Sequence, residues 1–222
     1  MSENRKEIKN RRIFVTATNT DVGKTHITEE LLKDYSLFGY RVGYFKPIET
    51  GVENGFPKDG NRILEVVKKL NNDFNLSIDD VVPYQFELPA SPFVAKGDTE
   101  IDLRVIKEKL AEVEKVSDIV IIEGAGGLLV PVEEDNLFIV DLIEELEAKA
   151  LLISPSSLGS INDTLLSINE LERREISFEW TVNLYRDIDS FFEVTAPFYE
   201  RYFKEYFIYQ KNGVQVANRL IY

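Results

Sequence analysis

Gly23-Lys24-Thr25 brings together three groups that triphosphate chemistry requires. Its glycine lets backbone N–H groups approach phosphate oxygens, its ammonium can reach the β- and γ-oxygens, and its hydroxyl can ligate Mg²⁺. The spacing departs from the common phosphate loop of Gly, four residues, then Gly-Lys and Ser or Thr, since Thr18 stands at the first glycine and Ala17 lies one residue earlier. A Gly-Lys-Thr tripeptide also arises by chance at helix starts, so its surroundings decide. The apolar run from Ile13 precedes it as a strand, and Ile27, Leu31, Leu32 and Tyr35 follow at helical spacing.

Further residues of the same chemical kind lie downstream. Lys46 follows the strand pattern Tyr40 to Phe45 and opens the loop Lys46-Pro47-Ile48-Glu49-Thr50-Gly51, which places it with Thr50 at the sheet edge that carries Lys24. It is either a second phosphate cation or an ordinary surface lysine. Asp59 precedes an apolar helical pattern (Ile63, Leu64, Val67, Leu70) and is either an N-cap or a Mg²⁺ ligand. Glu123 ends the run Ile119 to Ile122, before Gly124-Ala125-Gly126-Gly127, where a carboxylate serves Mg²⁺ and glycines admit a substrate to the backbone. His26, the only histidine, is assigned no catalysis.

The elements that must carry these residues alternate between strand and helix. Apolar runs at 118–122, 150–154 and 178–184 predict buried strands, the last ending near Asn183. Helical patterns span 101–116, 136–148 and 158–172, and the prolines of 83–92 impose a stiff extended segment. This order predicts an α/β fold, a doubly wound and mostly parallel sheet flanked by helices. Phe198, Tyr202 and Tyr206, with Tyr199, Phe203 and Phe207, predict a helix with an aromatic face for core or subunit packing.

Composition narrows the function classes. The chain has 222 residues and no long Gly/Ser/Pro linker, which predicts one domain over 1–222, with 1–11 as a flexible leader. A net charge of −13 argues against a nucleic-acid partner, and the absence of Cys excludes disulfides, thiolate metal sites and a Cys nucleophile. No apolar stretch is long enough for a membrane span or a secretory signal, so the cytoplasm is expected.

With these motifs in order, the chain resembles the dethiobiotin synthetase family. That family's loop reads Gly or Ala, five residues, then Gly-Lys-Thr, which Ala17 and Thr20-Asp21-Val22-Gly23-Lys24-Thr25 fit. Lys46-Pro47 with Thr50-Gly51, Pro83 to Pro92, Glu123 to Gly127, Leu158 to Asn162 and Asn183 continue the similarity over about four-fifths of the chain. The resemblance implies ATP, Mg²⁺ and carbon dioxide or bicarbonate acting on 7,8-diaminononanoate to close the ureido ring of dethiobiotin. It implies that Lys24 and Lys46 are catalytic, that Thr25, Asp59 and Glu123 surround Mg²⁺, and that the segment Asp21 to His26, with Asp59, Glu123, Gly124, Ala125, Gly126 and Asn183, holds the nucleotide. Thr20, Thr50 and Gly126 would hold carbamate and diamine. A homodimer is implied, with Asn162 reaching the partner subunit's substrate. Beyond Asn183 the family's base-enclosing loop is not recognisable, which leaves GTP or another triphosphate open beside ATP.

Two alternatives compete. A cobyrinate-type amide ligase would carry a glutamine-hydrolysing domain with a Cys, for which the chain has no room. A ParA- or MinD-like switch ATPase would carry a basic surface or a membrane-targeting tail.

Overall fold

β1 (Arg12–Ala17) takes the centre of the fold because Ile13, Phe14, Val15 and Ala17 are apolar toward both faces, and all four are fully buried. The computed structural model describes residues 7–134 and 136–222. In chain order the later strands are β2 (Val42–Phe45), β3 (Ile48–Thr50), β4 (Tyr84–Phe86), β5 (Ile119–Gly127), β6 (Pro131–Glu133), β7 (Leu137–Phe138), β8 (Lys149–Pro155) and β9 (Phe178–Asn183). Five form one parallel sheet in the order β2-β5-β1-β8-β9. The chain runs outward from β1 to β2 on one side, then from β5 across β1 to β8 and β9 on the other. The crevice at the carboxyl ends beside β1 is where ligands bind in such sheets.

α1 (Lys24–Leu37) and α2 (Lys58–Leu70) pack on this sheet, as do the helices Leu103–Lys115, Ser160–Arg173 and Tyr209–Ile221. The doubly wound α/β fold expected from the strand-helix alternation is the one observed. α1 buries Ile27, Leu31, Leu32 and Tyr35, the residues whose spacing marked it as a helix.

Several local expectations are corrected. Ile48 to Thr50 is a short strand, β3, paired in parallel with β4, so Thr50 is held by backbone pairing and not by a loose loop. Asp59 does not precede its helix: Pro57 is the N-cap and Asp59 lies in the first turn. The aromatic helix is only Ala196–Tyr202, because Phe203 turns extended (ψ 141°) and the chain then runs alongside β9. There the carbonyl of Phe207 accepts from the Val182 N–H at 2.8 Å. The aromatic residues form a second, smaller core, with Trp180 4.7 Å from Phe203 and 5.3 Å from Tyr199 between ring centroids.

The last helix is Tyr209–Ile221, which buries Tyr209, Val216, Ala217, Leu220 and Ile221. Part of the leader expected over 1–11 meets the body of the fold. Lys9 and Asn10 N–H groups donate to Ile221 O at 2.8 and 3.3 Å, and the Arg11 guanidinium caps the carbonyls of Asp118 and Ser117 at 3.0 and 3.1 Å. Residues 1–6 of that leader lie outside the described residues.

Candidate active site

The phosphate loop is docked on the neighbouring strand end. Gly23 adopts φ 99° as the N-cap of α1, and a Cβ there would lie 2.2 Å from Nδ2 of Asn183. Glycine is therefore required twice over, by conformation and by contact. Asn183 Nδ2 donates to Val22 O at 2.8 Å, while its Oδ1 accepts from Gln210 Nε2 at 2.6 Å. Beyond it, the Tyr185 hydroxyl donates to Asp21 O at 2.5 Å. The loop thus rests on β9 and on the start of the C-terminal helix before any ligand arrives.

Lys24 folds back so that its Nζ donates to Asn19 O at 3.1 Å. Burial pushes its ammonium down to about 8; Glu123 opposes that shift and Lys46 adds to it.

Glu123 is the node of the site. It is 1% exposed, and its Oε1 accepts from Lys46 Nζ at 2.7 Å and from Thr25 Oγ1 at 3.0 Å. Lys46 Nζ also meets Asp59 Oδ2 at 3.3 Å. Burial works against the Lys46 charge, but Glu123, then Asp59 and Glu49, outweigh it and raise its pKa. The three residues expected from separate motifs on β5, α1 and the end of β2 are therefore in direct contact.

The second Glu123 oxygen, Oε2, is buried with no hydrogen-bond partner among the described residues. Buried carboxylate oxygens are rarely left so, and this one marks a place for a donor or a cation. Glu49, absent from the sequence-based set, fixes Asp59: its carboxylate accepts from the Asp59 and Gly60 N–H groups at 3.0 and 2.9 Å. Burial raises the Glu49 pKa, against the pull of Lys46.

A cavity of about 410 Å³ opens over these groups, lined by Thr20, Asp21, Gly23, Lys24, Thr25, His26, Lys46, Thr50, Asp59, Glu123, Ala125 and Gly126 among others. A second, of about 400 Å³, adjoins it through Thr20, Thr50, Ala125 and Gly126 and continues along Pro89 to Pro92 and Val130. The first is polar and charged, the second mixed, so together they suit a phosphorylated group beside a partly apolar one. A larger groove of about 810 Å³ between α1 and the C-terminal helix gathers no such cluster.

Four sequence-based candidates stand elsewhere. Val22 is buried and offers only backbone to the loop, and Gly124 faces Phe14, whose Cε1 would lie 2.7 Å from a Cβ. Asn183 holds the loop instead of lining the cavity. Asn162 is exposed on the first turn of its helix, bonded to Asp163 at 3.1 Å and outside both cavities. The reading also missed Arg62 and Arg186, which line the first cavity; Arg186 sits three residues past Asn183, at the sheet edge where ligands bind.

A phosphate loop at the switch point of a doubly wound parallel sheet defines a P-loop nucleotide-binding protein. A family model described as an AAA domain matches residues 11–182. The ATP-dependent dethiobiotin synthetase BioD of Sulfurovum sp. (strain NBC37-1) is 48% identical over 86% of this chain and 90% of its own. That of Wolinella succinogenes is 39% identical over 85% and 88%. The chain belongs to the dethiobiotin synthetase family.

Solved structures show the same fold at greater distance. The MinD cell division protein of Aquifex aeolicus (17% identity, TM-score 0.53) aligns over 94% of this chain and 86% of its own. A ParA family ATPase of Chlorobium tepidum (10%, TM-score 0.50) aligns over 93% and 88%. These likenesses concern the fold alone.

Proposed function

We propose that the protein is an ATP-dependent dethiobiotin synthetase, a ligase that closes the ureido ring of dethiobiotin in biotin synthesis. The observation that carries this is the 48% identity to a BioD enzyme across 86% of the chain. The contact of Lys46, Glu123 and Thr25 beside the phosphate loop supports it.

The reaction needs no covalent enzyme intermediate. One amine of 7,8-diaminononanoate attacks CO₂ and, losing a proton, becomes a carbamate. A carbamate oxygen attacks the γ-phosphorus of ATP, and ADP leaves. The second amine then attacks the carbonyl carbon of the mixed anhydride, phosphate departs and the ring closes. Charge accumulates on the transferring phosphoryl group, so positioned cations carry much of the catalysis.

We assign that role to Lys24 and Lys46. Thr20, Thr50 and the backbone at Ala125 and Gly126 border both cavities, and we assign them the carbamate and diamine, whose carbon chain would lie toward Pro89 to Pro92. ATP is the proposed co-substrate, with GTP tested beside it.

Mg²⁺ fits the residues present. Thr25 Oγ1, Glu123 with its unpartnered Oε2, and Asp59 are hard oxygen donors, and Mg²⁺ prefers a few of these plus water and phosphate oxygens. When bound, the cation would offset charge on the phosphate chain.

A homodimer is part of the proposal. Asn162 lies outside its own chain's cavities, beside Leu158 (76% exposed) and Leu166 (61% exposed), where a second copy would cover apolar surface. Among the described residues no helix is long and apolar enough to cross a membrane, and we place the reaction in the cytoplasm, with neither membrane nor nucleic acid as partner.

The test is phosphate release from ATP and GTP with Mg²⁺ and bicarbonate, with and without 7,8-diaminononanoate, following the organic product by mass. Diamine-dependent release with a ureido product is expected. Release indifferent to the diamine, without product, would sink the proposal.

A further inference from the structure

The cavity over the phosphate loop is close to neutral as it stands. The acids Asp21, Glu49, Asp59 and Glu123 face the bases Lys24, Lys46, Arg62 and Arg186. Much of the positive charge is already matched: Lys46 pairs with Glu123 and Asp59, and the Arg62 guanidinium donates to Glu29 Oε2 at 2.7 and 3.2 Å. Among the described residues, Lys24 and Arg186 are the lysine and arginine of this lining that form no ion pair.

Arg186 is also held in place from behind. Ser156, 1% exposed at the end of β8, donates its hydroxyl to Arg186 O at 2.5 Å and accepts from Arg186 N at 3.4 Å. On the adjacent residue, the Tyr185 hydroxyl bonds the carbonyl of Asp21 in the phosphate loop, and the Tyr185 ring lies 5.0 Å from the Arg186 guanidinium carbon. The backbone is anchored to β8, the neighbouring side chain to the loop, and the guanidinium stacks on that side chain. A guanidinium so oriented loses little entropy on meeting a phosphate and offers a planar fork that a lysine lacks.

We propose that Arg186 is a nucleotide-contacting residue of this site, a third cation that binds the phosphate chain from the loop after β9. The proposal rests on the nucleotide reading above and extends it. Its backbone bonds to Ser156 do not involve the side chain, so truncation leaves the loop anchored.

The experiment is calorimetric titration of wild type, Arg186→Ala and Arg186→Lys with ATP, inorganic tripolyphosphate and adenosine, all with Mg²⁺, beside thermal melts. Arg186→Ala is expected to weaken ATP and tripolyphosphate by about ten- to a hundredfold, the loss typical of a charge-assisted hydrogen bond or two. Adenosine binding and the melting temperature stay unchanged, and Arg186→Lys recovers part of the loss. Wild-type affinity of Arg186→Ala for ATP and tripolyphosphate would overturn the proposal. So would weakening confined to ATP and adenosine, which would move the contact to the nucleoside. A wild-type protein that binds neither ATP nor tripolyphosphate would instead sink the nucleotide site itself, and this inference with it.

Discussion

Lys46 and Glu123 hold each other in a place that water barely reaches, so a substitution at either acts on stability as well as on chemistry. Lys46→Ala is expected to lower kcat by about 10² to 10³ through lost charge stabilisation. It also strands a buried carboxylate, at a cost of about 3–5 kcal/mol. Adding Glu123→Gln removes the stranded charge and should return much of the stability, read by urea unfolding, while turnover stays low. If the double variant regained turnover, Lys46 would be a structural partner of Glu123 and no more.

Lys24 gives a pH signature. With its pKa near 8, the ammonium is mostly charged below pH 8 and increasingly neutral above it. Phosphate favours the charged form, so ATP binding above pH 8 should take up a proton and weaken as pH rises. Titrations in buffers of different ionisation enthalpy would measure that uptake, which Lys24→Ala should abolish. A flat affinity across that range in the wild type would remove the shifted lysine from the account.

At the scale of elements, two glycines separate conformation from contact. Gly23 and Gly159 both open helices at positive φ, 99° and 92°, yet a Cβ at Gly159 meets nothing within 4 Å whereas one at Gly23 collides with Asn183. Gly159→Ala should cost about 1–3 kcal/mol of backbone strain and leave ATP binding unchanged. Gly23→Ala should shift the loop and abolish measurable binding. Equal affinity of the two variants would show that the Asn183 contact is easily relieved.

The same scale shows what the sequence could and could not convey. β1, β5 and β8 were legible because strands buried on both faces are apolar throughout, and α1 because Ile27, Leu31 and Tyr35 recur at its period. The helix Tyr209–Ile221 was not, since Asn212, Gly213 and Asn218 are weak helix formers and, after Tyr209, its buried residues begin only at Val216. Phe207 kept helical spacing with Phe203 by coincidence; β9's open edge took its carbonyl instead. In the site, Lys24, Thr25 and Lys46 could be named because each begins or follows an element, and Glu123 because a carboxylate interrupts the apolar run of β5 at its middle. Glu49 and Arg186 could not, for Glu49 acts by accepting from backbone N–H groups at the start of α2 and Arg186 is placed by its contact with Ser156 after β8, neither of which leaves a pattern in the sequence.

For the molecule as a whole, the C-terminal helix locks the phosphate-loop helix in place. The Tyr35 hydroxyl donates to Ala217 O at 2.9 Å in the core, and Leu220 is fully buried. Leu220→Ala is expected to destabilise by about 2–5 kcal/mol in denaturant unfolding while leaving KM for ATP close to wild type once folded. A raised KM at full folding would mean that this helix tunes the loop through Gln210 and Asn183.

β1 lies between β5 and β8, so Arg12 pairs with Val120 and Ile13 with Lys149, partners that lie over a hundred residues further along the chain. On the ribosome, the strand that leads into the phosphate loop has no neighbour to pair with until β5 has emerged, and its other edge stays open until β8 follows. Loop-closure entropy over such distances makes these pairings late and slow to form. The nascent chain therefore carries its phosphate loop long before it can grip a nucleotide, which must wait until β5 and β8 have joined β1.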